Sequence, residues 1–533
     1  MKKRSKIIVA CALIFVFFWA EGSSNYGISQ TKNLYQKIQV FNAVLNTIES
    51  VYVEEVNPTS LIDDAIRGMI KNLDPHTTYL TAEEFKNWSK TYQGYSGIGI
   101  SFDIIKNKIT IMSVMEGGPS HKLGLLPGDR IIEINGESAI GIKRNDVPKK
   151  LMGPPGTTVR VTVERQGWDK PKEFTIVRQK IEVESIPQAT FLRPGLGYIR
   201  IARFSRTTGQ ELETALTNLE AQGLEKLILD LRGNSGGYLQ MAVEVANKFI
   251  PGGKMIVYTK GRIPAAYREY FASPQGVHPM FPLIVLVDHT SASASEIVAG
   301  AIQDWDRGLI VGQTTFGKGL VQTQYPFSDG SVLLITTAKY YTPSGRLIQR
   351  DFSHKSWEDY YREAYNDSLR QQQLAKLPKF KTFAGRTVYG GGGIAPDIWL
   401  TSNEKPPSKF TIDLIYDEQR FFYTFAEEFL KNNPQIRQMD VIDFAQNYQL
   451  PPETLDNFAE YVMKIKPEIS KEKFQQNAKD IRFLLKRQIA YIVWGKDGQF
   501  QVNLTRDSVL QKAMDYFPEA AKLLTISTLN KRK

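Results

Sequence analysis

The sequence predicts a multidomain α/β protein: an α/β core, an inserted module that is mainly β, and helical regions before and after them. Three observations predict it. Short β-branched apolar runs, such as Lys226–Asp230 and Leu283–Val287, each pass through a glycine- or serine-rich turn into a helical period; that is the strand–turn–helix unit of a parallel sheet buried on both faces. Between about 92 and 183, short alternating stretches are separated by Gly, Pro and Asn-Gly turns, the pattern of a small sheet domain. At both ends apolar residues recur at spacings of three and four, as amphipathic helices require. A chain of 533 residues has room for roughly three or four domains, and 42% hydrophobic with 23% charged residues is ordinary globular composition.

Residues 1–22 have the layout of an export signal. Basic residues from Lys2 to Lys6 precede the apolar run Ile7–Ala20 and the small polar stretch Glu21–Ser24. The run is shorter than the roughly 20 residues of a spanning helix, which favours cleavage over retention as an inner-membrane anchor. The one cysteine, Cys11, lies inside this segment, so the exported chain carries neither thiol nor disulfide. The region 23–91 reads as helical: Leu34, Ile38, Phe41, Leu45 and Ile48 mark one helix, Val56-Asn57-Pro58-Thr59 interrupts it, and a second runs from Ser60 to near Leu73. His76 follows Asp74-Pro75 in a turn and reads as structural.

In 92–183 strands are expected at Ile98–Asp103, Lys108–Val114, Arg130–Ile134, Thr158–Arg165 and Glu173–Arg178. Asn135-Gly136 requires a turn with positive φ. In 184–402 the expectation is a strand at Gly197–Ile201, a helix at Gly209–Gln222, the strand Lys226–Asp230, a glycine turn to Gly237 and a helix through Phe249. The charged, aromatic stretch 353–381 is helix-prone and has no readable role. The extension 403–533 carries helical periods at Phe421–Lys431, Lys479–Trp494 and Asp507–Leu524. It is free to dimerise, recruit an adaptor or cover a site.

The chemistry gathers between Phe281 and Gln324. Thr290 to Ser295 place small hydroxyl residues on the turn between a strand's end and a helix's start, where α/β folds carry their sites. Gly317-Lys318-Gly319 then delivers one lysine, with Gln322 four residues on, on the same face. A serine needs a base to become a nucleophile, and a lysine serves only when neutral. Moving a lysine from its reference pKa of about 10.4 to about 7 represents roughly 4 to 5 kcal/mol, so burial is required. Gln322 can orient the amine without adding charge. Ser293-x-x-Glu296 is equally a helix capping box, and the two roles are compatible. Upstream, Asp230-Leu231-Arg232-Gly233-Asn234-Ser235-Gly236-Gly237 ends a strand in glycines that expose backbone N–H groups toward a developing oxyanion.

The run Thr290-Ser291-Ala292-Ser293-Ala294-Ser295-Glu296, with Gly317-Lys318-Gly319 and Gln322 behind it, resembles the carboxyl-terminal processing, or tail-specific, serine protease family. The resemblance implies a crotonase-like α/β protease core with Ser293 as nucleophile, Lys318 as base and Gln322 as its support. The 230–237 turn is similar to the family's DLRxNxGG motif, which gives Gly236 or Gly237, with the amide of Ala294, as the oxyanion hole. Gly97-Ile98-Gly99-Ile100, Gly124–Glu137 and Leu151–Val163 together resemble a circularly permuted PDZ domain. That implies a Gly97, Ile98, Gly99, Ile100 loop whose amides hold a terminal carboxylate while an extended peptide pairs with the next strand. Leu73–Leu80, Thr342–Arg346 and Gly391–Asp397 match further signatures of the family, so the resemblance spans roughly residues 70 to 400.

Of the formal charge of +11, Lys2, Lys3, Arg4 and Lys6 belong to the first segment, and the rest is spread along the chain without an arginine-rich or aromatic-interleaved block, which excludes nucleic acid as the expected partner. The five histidines lack ligand spacing, so neither metal nor cofactor is expected. His289 with Asp288 forms a weaker Ser/His alternative. The expectation is therefore an exported, periplasmic serine endopeptidase acting on proteins or peptides with apolar C-termini. The competing expectation from another class is a gated or inactive PDZ-bearing envelope scaffold on the same fold.

Overall fold

The computed structural model describes residues 33–529 apart from 116, 166, 182–183, 276–277, 403 and 405. The expected export signal, with Cys11, lies outside the described residues. The chain divides into two compact units, Met1–Ala82 with Gln324–Ile335, and Glu83–Thr323 with Thr336–Lys533.

In the smaller unit one helix spans residues 33–51 and another Pro58–Ile70. The second begins at Pro58 because Asn57 caps it, accepting from the amides of Thr59 and Ser60 at 3.0 and 3.4 Å, and a proline at the first helical position forfeits no hydrogen bond. Asp74 closes the following turn by accepting from the His76 amide and from the Thr77 amide and hydroxyl at 2.6–2.9 Å. A strand too short to show an alternating pattern, Thr78–Leu80, then pairs antiparallel with Val332–Leu334.

In the larger unit, a six-stranded antiparallel sheet has five strands in sequence order, β1 Ile100–Ile105, β2 Lys108–Val114, β3 Arg130–Ile134, β4 Thr158–Glu164 and β5 Lys172–Val177, with the two-residue strand Glu137–Ser138 paired to β3. Val159, Val161 and Val163 face its core while Thr158 and Arg160 face out, the period of two that a one-sided sheet imposes. Asn135 and Gly136 take the positive φ expected of their turn. β1 starts two residues later than the sequence suggests, because Gly99 at φ +72° breaks the extended run.

The second sheet has the order β6 Gln188–Arg193, β7 Leu196–Arg200, β8 Lys226–Asp230, β9 Leu283–Val287 and β10 Leu309–Gly312, with a short edge strand further along the chain. From β7 to β10 neighbours are parallel, and β6 is antiparallel to β7. Two longer strands, β11 Leu320–Pro326 and β12 Val332–Tyr341, pair outside it, and β13 Ile398–Trp399 is its edge. Helices α1 Thr208–Ala221, α2 Leu239–Asn247 and α3 Ala294–Asp304 cover one face, packing Leu216, Val245 and Ile297 on Leu227, Leu229 and Val285. Helices α4 Trp357–Ala364 and α5 Asp367–Leu374 follow in the 353–381 stretch.

The C-terminal region divides in two. α6 Phe421–Asn432 and most of α7 Ala478–Leu504 build a cluster around Phe421, Phe444, Phe458, Phe474 and Ile481. α7 runs past its expected end at Trp494, with Gly495 at φ +62° as a kink. α8 Ser508–Ala513 and α9 Phe517–Leu529 instead cover the second face of the parallel sheet, placing Leu510, Phe517 and Leu523 on Ile228, Ile284 and Leu286. The last helices of the expected extension therefore complete the catalytic core. They also explain why β8 and β9 read as unbroken apolar runs: both faces are buried.

Candidate active site

β9 ends at Val287, and the hydroxyl-rich turn after it is stitched to the 230–237 loop. Ser291 Oγ donates to the Leu231 carbonyl at 2.8 Å, Ser295 Oγ to the Asn234 carbonyl at 2.9 Å, and the Ala292 amide to the same carbonyl at 3.0 Å. The outer serines of the run thus bind backbone. Ser293, between them, has φ +55° and ψ −110° at the N-terminus of α3, a conformation that costs a non-glycine residue about 1–3 kcal/mol.

Glu296 holds that conformation. Its fully buried carboxylate accepts from the Ser293 amide at 2.8 Å, the Gly317 amide at 2.7 Å, the Lys318 amide at 2.9 Å and Thr315 Oγ1 at 2.5 Å. Burial pushes its carboxyl above the usual range, and these hydrogen bonds oppose the shift. The glutamate of the capping box therefore ties the serine turn to the lysine loop. That loop is also held by Gln349, whose Oε1 accepts from the Gly319 amide at 2.8 Å, and by Arg350, whose amide donates to the Gly317 carbonyl at 3.0 Å. The Arg350 stem fills the space beside Gly317, which sits at φ +89°. Lys318 Nζ donates to Gln322 Oε1 at 2.8 Å, and both side chains are partly buried. The buried Tyr340 hydroxyl lies 2.6 Å from the Lys318 carbonyl and 3.1 Å from the Ser293 carbonyl. Burial pushes this phenol well up, so it stays a donor.

On the other side of Ser293 lies the glycine loop. Gly236 sits at φ +101°, and a Cβ there would come within 2.8 Å of Ser293 Cβ and the Ala292 carbonyl and 3.0 Å of the Ala294 amide. Only glycine fits so close an approach. The Gly236 amide donates to Asn234 Oδ1 at 2.9 Å, while Asn234 Nδ2 donates to the Ile201 carbonyl at 2.8 Å. Gly236, one of the two glycines expected to donate to an oxyanion, thus has its N–H engaged within the loop.

His289 packs edge-on against Tyr365, ring centroids 4.7 Å apart. Asp288 turns its carboxylate to the amides of Gly233, Thr290 and Ser291 at 2.9–3.1 Å. The Asp288 carboxylate is thus engaged by backbone amides and not by the His289 ring. Among the described residues no group of three His, Cys, Asp or Glu side chains is placed to hold a metal. The stretch 353–381, unreadable in the sequence, backs the site: Tyr360 and Ala364 cluster with Phe316 and Ala292, and Arg370 donates to the carbonyls of Thr314 and Thr315 at 3.0 and 2.5 Å. Its aromatic residues were the only signal of that burial.

In the β1–β5 domain, the Ile98 carbonyl accepts from the Ser120 hydroxyl at 2.6 Å and the Gly99 carbonyl from the Met115 amide at 2.8 Å. Gly97 pairs with Gln179, and Ile100 opens β1 opposite Val114. β1 ends the sheet's strand order, so its outer edge has no strand partner in that sheet.

The sequence is similar to those of known proteins. Residues 195–353 match peptidase family S41. The carboxy-terminal-processing protease of Bartonella bacilliformis is 36% identical over 323 residues, 60% of this chain and 74% of that protein. The chain belongs to peptidase family S41. This S41 peptidase also matches a PDZ domain over residues 110–165 and the activating protease CtpB N-terminal domain over residues 20–84. Carboxy-terminal processing protease CtpA of Bacillus subtilis is 34% identical over 345 residues, 64% of this chain and 73% of that protein. The solved photosystem II D1 C-terminal processing protease is 27% identical, covering 68% of this chain and 92% of its own, with a TM-score of 0.35. The protein is thus a serine peptidase of the carboxy-terminal processing family with a PDZ domain in its larger unit.

Proposed function

We propose that this S41 peptidase is exported to the periplasm, captures proteins by apolar C-terminal tails on its PDZ domain, and cleaves them with Ser293 and Lys318. The observation that carries the reading is the Glu296 carboxylate gathering the amides of Ser293 and Lys318, with the lysine Nζ held on Gln322. Ser293 Oγ attacks the scissile carbonyl carbon and passes its proton to neutral Lys318. The amides of Ala294 and Gly237 receive the oxyanion, since the Gly236 amide is taken by Asn234. Collapse breaks the C–N bond, and Lys318 returns the proton to the leaving amine. Water then attacks the acyl-enzyme with Lys318 again as base. Gln322 offers an amide oxygen to the lysine, where a carboxylate would favour its charged form.

Tail capture rests on the open edge of β1 and the Gly97-Ile98-Gly99-Ile100 loop ahead of it, the geometry of strand addition. Export rests on the basic and apolar pattern of residues 1–22. No described helix is long and apolar enough to cross a membrane. The test is cleavage of an unfolded protein by the chain from Ser23 onward, with the substrate tail either apolar or ending in aspartates. Cleavage that needs the apolar tail and is lost in Ser293→Ala supports the reading; equal cleavage of both tails rejects tail capture.

A further inference from the structure

Arg232 stands two residues beyond β8 and four before Gly236. Its guanidinium is shared between two carboxylates. Nε and Nη2 meet Asp230 at 2.6–3.1 Å, while Nη1 and Nη2 meet Asp507 at 3.0 and 2.7 Å. Asp230 is the buried last residue of β8, two positions back in the chain. Asp507 comes from 275 residues away. It is fixed by its own element, as the cap of α8, accepting from the Leu510 amide at 2.9 Å. Asp230 also accepts from the Tyr198 hydroxyl at 2.8 Å, and the Tyr198 ring packs at a tilt against Phe500 of α7, centroids 5.1 Å apart. The C-terminal helices thus hold the start of the glycine loop through a forked, charge-assisted contact, the kind with the strictest geometry.

We infer that Asp507 is a positioning residue for the oxyanion loop, acting through Arg232 to set where the Gly236-Gly237 backbone stands against Ser293. This rests on the proposed peptidase mechanism. Without Asp507, Arg232 keeps only Asp230, and the start of the loop loses its tie to the C-terminal helices. Ser291 still holds the Leu231 carbonyl, Asp288 the Gly233 amide and Asn234 the turn beyond, so the fold survives while the donors drift. A displacement near 1 Å costs up to about a hundredfold in rate, so the expected loss is at least about tenfold.

The test uses the chain from Ser23 onward and an internally quenched peptide ending in apolar residues. Asp507→Asn and Asp507→Ser remove the charge while keeping a good helix cap. Lys496→Met breaks a different tie of the C-terminal region, the 2.5 Å contact with Glu184, as a control for general loosening. The expected result is a kcat at least about tenfold lower in both Asp507 variants, with KM within about twofold, melting temperature nearly unchanged, and Lys496→Met like the parent. Parental kcat in the Asp507 variants, an equal fall in Lys496→Met, or loss of folding in both Asp507 variants each overturns the inference. Ser293→Ala is run alongside. Activity surviving there rejects the nucleophile assignment, while the Asp507 comparison still reads on the amide donors, which serve acyl transfer to any nucleophile.

Discussion

The two loops that flank Ser293 are held in opposite ways. The lysine loop is tied to the serine turn by one buried carboxylate, Glu296, whose partners lie within about two dozen residues and are mostly neutral backbone amides, and Gln349 and Arg350 hold it by further uncharged backbone contacts. The glycine loop is held at its start by a chain of charges, Asp230, Arg232 and Asp507, the last from the far end of the sequence. The difference shows in their carboxyls. Burial raises Glu296, and neutral hydrogen bonds only oppose the shift. Burial would raise Asp230 as well, but the Arg232 charge overcomes it and holds that carboxyl below the usual range. One loop is locked by desolvated hydrogen bonding, the other by ion pairing.

The comparison can be broken at several points. Gly236→Ala is expected to have the largest effect, because a methyl at φ +101° runs into Ser293 and the Ala292 carbonyl. Peptide turnover should fall by about a thousandfold or more, well beyond the loss of a single oxyanion donor. Next comes Asp230→Ala, which leaves the partly buried Arg232 with only Asp507 and strands the buried Tyr198 hydroxyl, a loss of about 1–3 kcal/mol, visible as faster proteolysis of the folded chain. Glu296→Ala strands the amides of Ser293, Gly317 and Lys318, each buried donor costing about 1–3 kcal/mol, and activity should fall at least about a hundredfold. Gln322→Leu keeps the lysine but removes its acceptor, and a fall in kcat of about tenfold with little change in KM is expected.

The smallest effect is the most specific to the contrast. Asp230, lowered in the fold, contributes stability that is present above its unfolded value of about 3.9 and is lost as pH falls through the folded one. Glu296, raised in the fold, behaves in the opposite sense: its contribution is present below about 4.3 and is lost as pH rises through its folded value. Melting temperatures from pH 3 to 7 should therefore show Asp230→Asn growing more costly as pH rises and Glu296→Gln growing less costly. Parallel curves would mean the two loops are held alike.

This contrast also explains what the sequence disclosed. The strands Lys108–Val114, Arg130–Ile134, Lys226–Asp230 and Leu283–Val287 were legible to the residue, because each is an apolar or alternating run closed by a turn signal. The serine turn and the lysine loop were legible because their partners are near in sequence and their glycines are forced by backbone geometry. Asp507, Arg350, Arg370 and Tyr340 were not. Each acts through a contact made only once distant elements pack, and an arginine or aspartate on a helix reads as a solvated face until then. The C-terminal extension failed for the same reason: the apolar stripes of α8 and α9 announce helices without saying which sheet they cover. Thr78–Leu80 was missed because three residues carry no period.

The central claim, that Ser293 is activated by Lys318, is tested most directly by the rate at which a fluorophosphonate labels the folded chain. The parent should be labelled on Ser293, located by mass spectrometry of the peptide that carries it, with a rate that rises with pH as the lysine loses its proton. Lys318→Ala should be labelled at least about a hundredfold more slowly and Ser293→Ala not at all. Labelling of Lys318→Ala at the parental rate, or of a residue other than Ser293, would contradict the account.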